Sequence, residues 1–211
     1  MMTRRLRPVQ SFLLLFTTAL IPATAFSQRS GSTIPNDRIF EAIRVRQGAT
    51  ICEIGAGNGE LTIAVAKLVG SSGRIFTSEL GDERVKTLQQ NVARSGLDNI
   101  EVVAGGTTST NFPDGTCDAL FMRNVYHHFT DPERMNMSIA GALKPGGRVA
   151  IVDFTPPKAE AATAADRAKD GTHGVSPDAV SREMTGAGFE PVSSELGEQR
   201  WFMVIVAKPA H

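Results

Sequence analysis

Apolar residues along this chain recur in two spacings, and the spacing changes repeatedly between residues 37 and 207. Short continuous apolar runs such as Ala49–Ile54 are typical of buried strands. Stretches such as Glu60–Val69 instead place apolar residues three or four positions apart, which is typical of an amphipathic helix. The pattern predicts seven strands: Ala49–Ile54, Arg74–Ser78, Ile100–Ala104, Cys117–Met122, Arg148–Asp153, Phe189–Leu196 and Arg200–Ala207. It predicts three helices over Asp37–Arg46, Glu60–Val69 and Asp82–Arg94. A fourth helix begins at Asp131 and Pro132 and ends before Lys144–Gly147. A fifth begins at Ser176 and Pro177 and ends at Gly186–Gly188.

The regular alternation of strand and helix predicts the fold class. Repeated strand–helix units form parallel sheets with helices on both faces. The last two strands are joined by a short turn that contains Gly197, so we expect them to be antiparallel. The chain is therefore expected to have an α/β fold, a three-layer sandwich around a mixed seven-stranded, mostly parallel sheet with a C-terminal antiparallel hairpin. This domain is expected to cover residues 36–211.

Residues 1–25 have the pattern of a secretory signal peptide. Three arginines between positions 4 and 7 precede the apolar run Ser11–Ile21, and an A-x-A sequence ends at Ala25. This order favours export to the periplasm or the medium, with cleavage after Ala25 and no stable membrane insertion. An uncleaved membrane anchor is the alternative, although the run is shorter than the roughly 20 apolar residues that span a bilayer. Residues 26–35 are then a polar linker.

Composition and charge narrow the classes of partner. Among 211 residues, 22 Lys and Arg balance 22 Asp and Glu, and 41% are hydrophobic. The ordinary apolar fraction excludes a disordered or collagen-like chain, and the lack of basic excess argues against nucleic acid. Two cysteines exclude a disulfide-rich scaffold and a four-thiolate metal site. We therefore expect a small-molecule partner and no metal site, and we leave the oligomeric state open.

A glycine-rich turn follows the first predicted strand. Gly55, Gly57 and Gly59 let the backbone approach a ligand closely, and the next helix presents its N-terminal N–H groups at the same edge. Ligands of such sheets bind beyond the carboxyl ends of the strands, where the strand order reverses. Glu79 ends the second predicted strand, and a carboxylate there can accept hydrogen bonds from both hydroxyls of an adenosine ribose.

The glycine spacing separates two families that share this arrangement. Nicotinamide-dependent dehydrogenases have G-x-G-x-x-G, whereas here Glu60 stands where that pattern has its third glycine. With Glu53 before the turn, the chain reads Glu53-x-Gly55-x-Gly57-x-Gly59 and resembles the class I S-adenosylmethionine-dependent methyltransferases. The resemblance extends over most of residues 36–207 and implies that fold, S-adenosyl-L-methionine as cofactor and methyl transfer to a small-molecule acceptor by in-line displacement.

Later motifs carry the same resemblance in the same order. They are Ile75–Glu79, Val102–Thr107 with Phe112–Gly115, Cys117–Met122 with Asn124–His128, Leu143–Arg148 and Gly186–Phe189. The resemblance implies these cofactor-binding residues: Glu53, Gly55, Ala56, Gly57, Gly59, Glu79, Leu80, Gly106, Thr107, Arg123 and Asn124. Gly106 departs from the family, which commonly has an acid there for the adenine amino group. Loss of that hydrogen bond weakens binding by about 0.5–1.5 kcal/mol, while Thr107 and backbone N–H groups remain.

Methyl transfer needs a general base only if the methyl acceptor is still protonated when it attacks the methyl group. His127 and His128 follow the fourth strand at the ligand edge and titrate in the right range, so both are candidate catalytic residues. The alternative is that one packs under the loop and the other caps a helix. Asp153 either faces the acceptor or caps a turn. The alanine-rich segment Thr155–Val175 is either a short exposed helix that acts as a lid or a surface connection, with Arg167 and His173 as candidate acceptor contacts.

Two further points stay open at the level of sequence. Cys52 and Cys117 lie in predicted core strands, where buried free cysteines are the default and a disulfide between neighbouring strands is the alternative.

The second open point is the function of the protein. A signal peptide would export the chain, whereas S-adenosylmethionine is made in the cytoplasm. An exported, non-catalytic or repurposed binding protein that keeps the methyltransferase fold is therefore the alternative to an enzyme.

Overall fold

A computed structural model describes residues 34–159, 161–169 and 174–210. The predicted signal peptide, most of the predicted linker and His173 lie outside these residues. Within the described residues, none of the helices combines the length and the apolar character needed to cross a membrane.

Seven strands and six helices alternate along the described chain. The strands are β1 (Thr50–Ile54), β2 (Arg74–Glu79), β3 (Ile100–Ala104), β4 (Cys117–Arg123), β5 (Leu143–Phe154), β6 (Glu190–Leu196) and β7 (Trp201–Ala207). The helices are α1 (Asn36–Ala42), α2 (Glu60–Val69), α3 (Asp82–Ser95), α4 (Pro132–Ala142), α5 (Ala164–Lys169) and α6 (Pro177–Gly186), and a 3₁₀ turn covers Tyr126–His128.

The strands form one sheet in the order β3-β2-β1-β4-β5-β7-β6. Strands β1 to β5 pair in parallel, and β7 runs antiparallel to both β5 and β6. The predicted fold class is therefore confirmed. The order reverses between β1 and β4, so the carboxyl ends of these two strands mark the place where a ligand of this fold binds.

Alternating strand residues supply two cores, one on each face of the sheet. On one face α4 and α6 cover the strands, and their buried residues include Ile139 and Val180. On the other face α1 and α2 do so, with Ile39 and Val65 among their buried residues. The alternation is visible in β1, where Ile51 faces the second core and the side chain of Cys52 the first.

Two element boundaries differ from the predicted ones by four residues or more. Helix α1 ends at Ala42 rather than at Arg46, because Arg44 has a positive φ of 58° that leaves the helical region. Strand β5 begins at Leu143 rather than at Arg148. Its register against β4 jumps at this point, so Pro145–Gly147 are accommodated as an irregularity within the strand rather than as a turn before it.

The two cysteines are joined in a disulfide between β1 and β4. Cys52 and Cys117 are both fully buried, and their Cα atoms lie 5.8 Å apart, within the usual range for a disulfide. The default expectation of two free core cysteines is wrong, and the alternative holds. The bond crosses the sheet between the two strands where the strand order reverses.

Candidate functional site

A cavity of about 800 Å³ opens at the carboxyl ends of β1 and β4. Its volume lies within the range of pockets that take cofactors and drug-sized ligands, about 300–1,000 Å³. Four segments line it, each following one of the strands β1 to β4, together with Met135 of α4. The lining residues are Glu53–Asn58, Glu60, Leu61, Ser78–Leu80, Arg84, Gly105–Thr107, Ser109, Thr110, Arg123–Val125, His128–Thr130 and Met135.

The glycine turn after β1 forms one wall of this cavity. Gly55, Gly57 and Gly59 have φ values of 71°, 56° and 83°, in the left-handed region that favours glycine. A Cβ on Gly57 would meet open space, so the backbone of this residue is bare towards the cavity. A Cβ on Gly55 would instead lie 2.4 Å from Val125, a residue of the same cavity wall. Gly59 lies behind the wall and is the N-cap residue of α2, which therefore has no hydrogen bond from a capping side chain.

Glu79 reaches across from the end of β2 to this turn. Its Oε2 accepts a hydrogen bond from the backbone N–H of Gly57 at 2.8 Å, and its Oε1 accepts one from the N–H of Leu80 at 3.0 Å. The residue is only 8% exposed, although it lines the cavity. Each carboxylate oxygen can accept more than one hydrogen bond, so Glu79 keeps acceptor capacity for two neighbouring hydroxyl groups of a ligand.

Glu53 is a second carboxylate in the wall, at the end of β1. Its Oε2 accepts hydrogen bonds from the hydroxyls of Thr62 and, at 3.4 Å, Thr77. Burial raises the pKa of Glu53 to about 7, partly opposed by these hydroxyls and by the positive charge of Arg123. The group can therefore change its charge near neutrality, next to a ligand-sized cavity.

Arg123 and Asn124 end β4 on the other side of the turn. The guanidinium of Arg123 donates a hydrogen bond to the Oδ1 of Asn36 in α1 at 2.9 Å and lines the cavity, so it offers a cation to an anionic ligand group. Asn124 has a φ of 61°, which Asn tolerates better than most residues, and its N–H donates to the carbonyl of Val152 at 2.8 Å. The chain thereby turns sharply into the cavity wall.

The segment after β3 supplies a polar wall. Gly106 and Thr107 both line the cavity, and the N–H of Gly106 donates to the carbonyl of Ser109 at 2.9 Å. Thr110 is tied to α4 by a hydrogen bond from its N–H to the hydroxyl of Ser138 at 3.0 Å. Leu80, 42% exposed, covers the cavity from the β2 side.

The two histidines after β4 occupy different environments. His128 is exposed and lines the cavity. His127 is 2% exposed and lies behind the wall, where its Nδ1 is 2.9 Å from the Oδ1 of Asp153. Since a carboxylate only accepts hydrogen bonds, this Nδ1 carries a hydrogen. Asp153 is fully buried and holds both the ring and the backbone N–H of His127, rather than facing an acceptor.

Arg167 has a structural position instead of the expected acceptor contact. Its guanidinium is 5% exposed and donates two hydrogen bonds to the carboxylate of Glu183 in α6, at 3.0 and 3.2 Å. It also stacks over the ring of Tyr126 at 5.9 Å, and the hydroxyl of Tyr126 accepts a hydrogen bond from Asn136 at 2.8 Å. The described structure does not support the predicted contact of Arg167 with the acceptor, because Arg167 lies outside the cavity lining and its charge holds α5 to α6.

Sequence reasoning missed several cavity residues. Val125, Phe129 and Met135 are apolar residues after β4, and nothing in their local pattern separates them from core residues. Thr62 and Thr77 are buried behind the cavity lining, and they had no signal either, because their role depends on the buried carboxylate of Glu53. Across residues 34–159, 161–169 and 174–210, no cluster of three or more His, Cys, Asp and Glu side chains could hold a metal ion.

The described residues fit S-adenosylmethionine. Glu79 offers acceptors to a ribose, Gly57 leaves space beside the bare backbone, and Arg123 offers a cation to a carboxylate. The cavity contains all the predicted cofactor-binding residues except Gly59, which positions α2 behind them.

Comparison with known proteins points to the same family. Residues 52–151 match the sequence profile of a family described as Methyltransferase domain. The ubiquinone/menaquinone biosynthesis C-methyltransferase UbiE of Marinomonas sp. (strain MWYL1) is 31% identical over 117 residues, which are 55% of this chain and 47% of the relative. The chain thus spans about half the length of the curated relatives it matches.

Solved structures extend the likeness to about four fifths of the chain. A SAM dependent methyltransferase from Aquifex aeolicus has a TM-score of 0.70 at 21% identity, over 82% of this chain and 88% of that one. The [4+2]-cyclase SpnF has a TM-score of 0.73 at 17% identity, over 83% and 81% of the two chains. At such identities the likeness concerns the fold. Residues 52–151 are therefore similar to a methyltransferase domain, and the chain has the α/β fold that these solved proteins share.

Proposed function

We propose that this protein transfers a methyl group from S-adenosyl-L-methionine to a small-molecule acceptor. The observation that carries the proposal is the contact of the Glu79 carboxylate with the N–H of Gly57, beside a ligand-sized cavity. The contact supports the proposal because a carboxylate that can accept hydrogen bonds from ribose hydroxyls lies beside the backbone of Gly57, which has no side chain. The match of residues 52–151 to a methyltransferase domain supports the same reaction.

The relatives supply an acceptor class to test. The name of the UbiE relative places that protein in ubiquinone and menaquinone biosynthesis as a C-methyltransferase. Hydroxylated aromatic rings of the quinol type are therefore the first acceptors to test with this chain. The cavity wall offers such a ring apolar contacts from Val125 and Phe129.

The residues of the chain contribute mainly by positioning. When bound, S-adenosylmethionine supplies an electrophilic methyl group on a positively charged sulfur. Holding donor and acceptor in line, away from water, accounts for about 7–11 kcal/mol of barrier lowering in intramolecular reactions. Glu79, Gly57 and Arg123 would bind the adenosyl and amino-acid ends of this molecule.

His128 is the candidate base. It lines the cavity, and its neutral imidazole can take the hydroxyl proton of an acceptor at a ring nitrogen as the acceptor attacks. Because the side chain is also exposed, the proton can pass on to solvent. His127 lies behind it and acts on His128 rather than on the acceptor.

The proposal is tested by calorimetric titration of the purified protein with S-adenosylmethionine, S-adenosylhomocysteine and NAD. We expect binding of the first two, and more than tenfold weaker binding in Glu79→Ala, because hydrogen bonds to a charged group are worth about 1.5–3 kcal/mol. Glu83→Ala is the matched control, since Glu83 is an exposed acid on α3 outside the cavity. If the two variants have equal dissociation constants for S-adenosylmethionine, Glu79 does not contribute to cofactor binding.

The same titration separates the competing function. A repurposed binding protein that keeps the fold would bind neither adenosyl compound, and the likeness to a cyclase illustrates that this fold is compatible with other reactions. Binding of NAD alone would indicate an oxidoreductase. Formation of S-adenosylhomocysteine in the presence of a quinol is the positive result for the enzyme.

We further propose that the protein is exported by cleavage of residues 1–25. The sequence pattern of the leader supports this, and so does the disulfide between Cys52 and Cys117, since disulfides persist in oxidising compartments. Sequencing the N-terminus of the mature protein after cell fractionation tests the proposal. An intact leader in a membrane fraction would indicate an anchor, and an intact leader in the cytoplasm would contradict export.

A further inference from the structure

Asp153 and His127 form a buried pair that the proposed reaction does not use directly. Asp153 Oδ1 accepts hydrogen bonds from the Nδ1 of His127 and from the backbone N–H of Phe154, both at 2.9 Å. Its Oδ2 accepts one from the backbone N–H of His127 at 3.1 Å. The carboxylate therefore fixes the ring, the tautomer and the backbone of one histidine at once.

The pair is in contact with the cavity through the second histidine. The ring centroids of His127 and His128 are 3.9 Å apart, with an angle of 44° between the ring planes. On another side, the ring of Phe154 lies 5.1 Å from His127. A ring held by a carboxylate and by neighbouring rings cannot turn freely. The ring of His128, which packs against it at a tilt, is thereby supported at the cavity wall.

The topology explains why Asp153 is placed for this role. It belongs to β5, whereas His127 and His128 belong to the 3₁₀ turn that follows β4. Strands β4 and β5 are parallel neighbours, so the end of one lies beside the segment that leaves the other. An aspartate that merely capped its own turn would not need to bind a ring on the neighbouring segment.

We propose that Asp153 and His127 are positioning residues that hold the imidazole of His128 at the cavity for the proposed methyl transfer. The inference rests on the proposed function only for the chemical role of His128. Its structural part, that Asp153 controls the orientation of His128 through His127, stands independently of any acceptor. Neither Asp153 nor His127 touches the acceptor, so their effect must pass through His128.

The first test is nuclear magnetic resonance of the histidine rings in the wild type, Asp153→Asn and His127→Asn. We expect a slowly exchanging Nδ1–H of His127 and a ring-to-ring contact between His127 and His128 in the wild type, both lost in Asp153→Asn. His127→Asn keeps an N–H donor for Asp153 but removes the ring that packs against His128. This variant therefore tests whether His127 orients His128 even if Asp153→Asn fails to fold. An unchanged His128 spectrum in both variants would overturn the proposal.

The second test is kinetic, with a quinol as the acceptor. Asp153→Asn and His127→Asn should lower kcat about tenfold or more, within the range of losses seen when a general base is disturbed, with KM for S-adenosylmethionine within about twofold. If Asp153 acts through His128, the change Asp153→Asn should have no further effect on kcat in a His128→Gln background. Additive losses in the double variant would show that Asp153 acts elsewhere.

Asp131 offers a matched control. This aspartate caps α4 by accepting a hydrogen bond from the N–H of Arg134 at 3.1 Å, and it lies outside the cavity lining. Asp131→Asn should lower the melting temperature slightly and leave kcat unchanged.

The failure of the proposed function can be distinguished from the failure of this inference. If the wild type binds neither S-adenosylmethionine nor S-adenosylhomocysteine, the proposed function is contradicted. The inference about Asp153 and His127 is then still tested by the ring contact measured by resonance, which does not depend on a ligand.

Discussion

The carboxylate of Glu53 accepts a hydrogen bond from the hydroxyl of Thr62 inside the wall of the cavity. Burial raises the pKa of this carboxyl from 4.5 to about 7, so between these values the folded chain holds a proton that the unfolded chain has lost. The free energy of unfolding should therefore fall as the pH rises from about 4.5 to about 7, by roughly 3 kcal/mol at most. Glu53→Gln should remove this dependence, measured by chemical denaturation at pH 5 and pH 8.

The same carboxyl predicts a pH dependence of cofactor binding. An ionised Glu53 favours the positively charged S-adenosylmethionine, so its affinity should rise as the pH passes through about 7, with release of a proton. S-adenosylhomocysteine lacks the sulfonium charge and should show a smaller dependence. Titration in buffers of different ionisation enthalpy measures the proton release. A wild-type pH profile that survives in Glu53→Gln would assign the effect to another group.

Gly55 should tolerate a side chain much less well than Gly96. Both have φ values close to 70°, and Gly96 lies in the left-handed region, where alanine strains the backbone by roughly 1 kcal/mol. At Gly96 a Cβ meets open space, whereas at Gly55 it meets Val125 of the cavity wall. Gly55→Ala should lower both the melting temperature and the affinity for S-adenosylhomocysteine. Gly96→Ala should lower only the melting temperature, and equal affinities would show that the turn adapts.

The disulfide should contribute to stability more than to ligand binding. Cys52 and Cys117 are 65 residues apart, and closing a loop of that length stabilises a fold by about 4 kcal/mol in the chain-entropy description. Replacing both by alanine should lower the free energy of unfolding by up to about that amount, while the affinity for S-adenosylhomocysteine changes less than twofold. Thiol counting in denaturant checks the premise. Two titratable thiols in the unreduced protein would contradict it.

Arg167 should matter for stability and not for the acceptor. Breaking its paired contact with Glu183 leaves a largely buried carboxylate without its cation, and Arg167→Ala should lower the free energy of unfolding by about 3 kcal/mol. Arg167→Ala combined with Glu183→Gln should recover part of the loss, because the unpaired charge is removed. The KM for the quinol should stay the same in both. A rise in the KM for the quinol that is confined to the Arg167 variants would indicate that Arg167 contacts the acceptor.

Local sequence patterns were sufficient for the strands and helices because each carries its own periodicity and its own terminal residues. The pairing of Cys52 with Cys117 needed the strand order, in which β1 lies beside β4, and no local pattern contains that order. The contact of Arg167 with Glu183 depends likewise on the packing of α5 near α6. His127 and His128 are neighbours of the same type, and only their burial separates a ring held by Asp153 from one that lines the cavity.

The disulfide also closes residues 52–117 into a covalent ring. That ring contains the glycine turn, Glu79 and Gly106, whereas Arg123 and His128 lie outside it. A protease that cuts once within the ring would open it without releasing a fragment, and the nicked protein would migrate as one species until it is reduced. The parts of the chain before Cys52 and after Cys117 are thus joined by two routes, of which only one is peptide backbone.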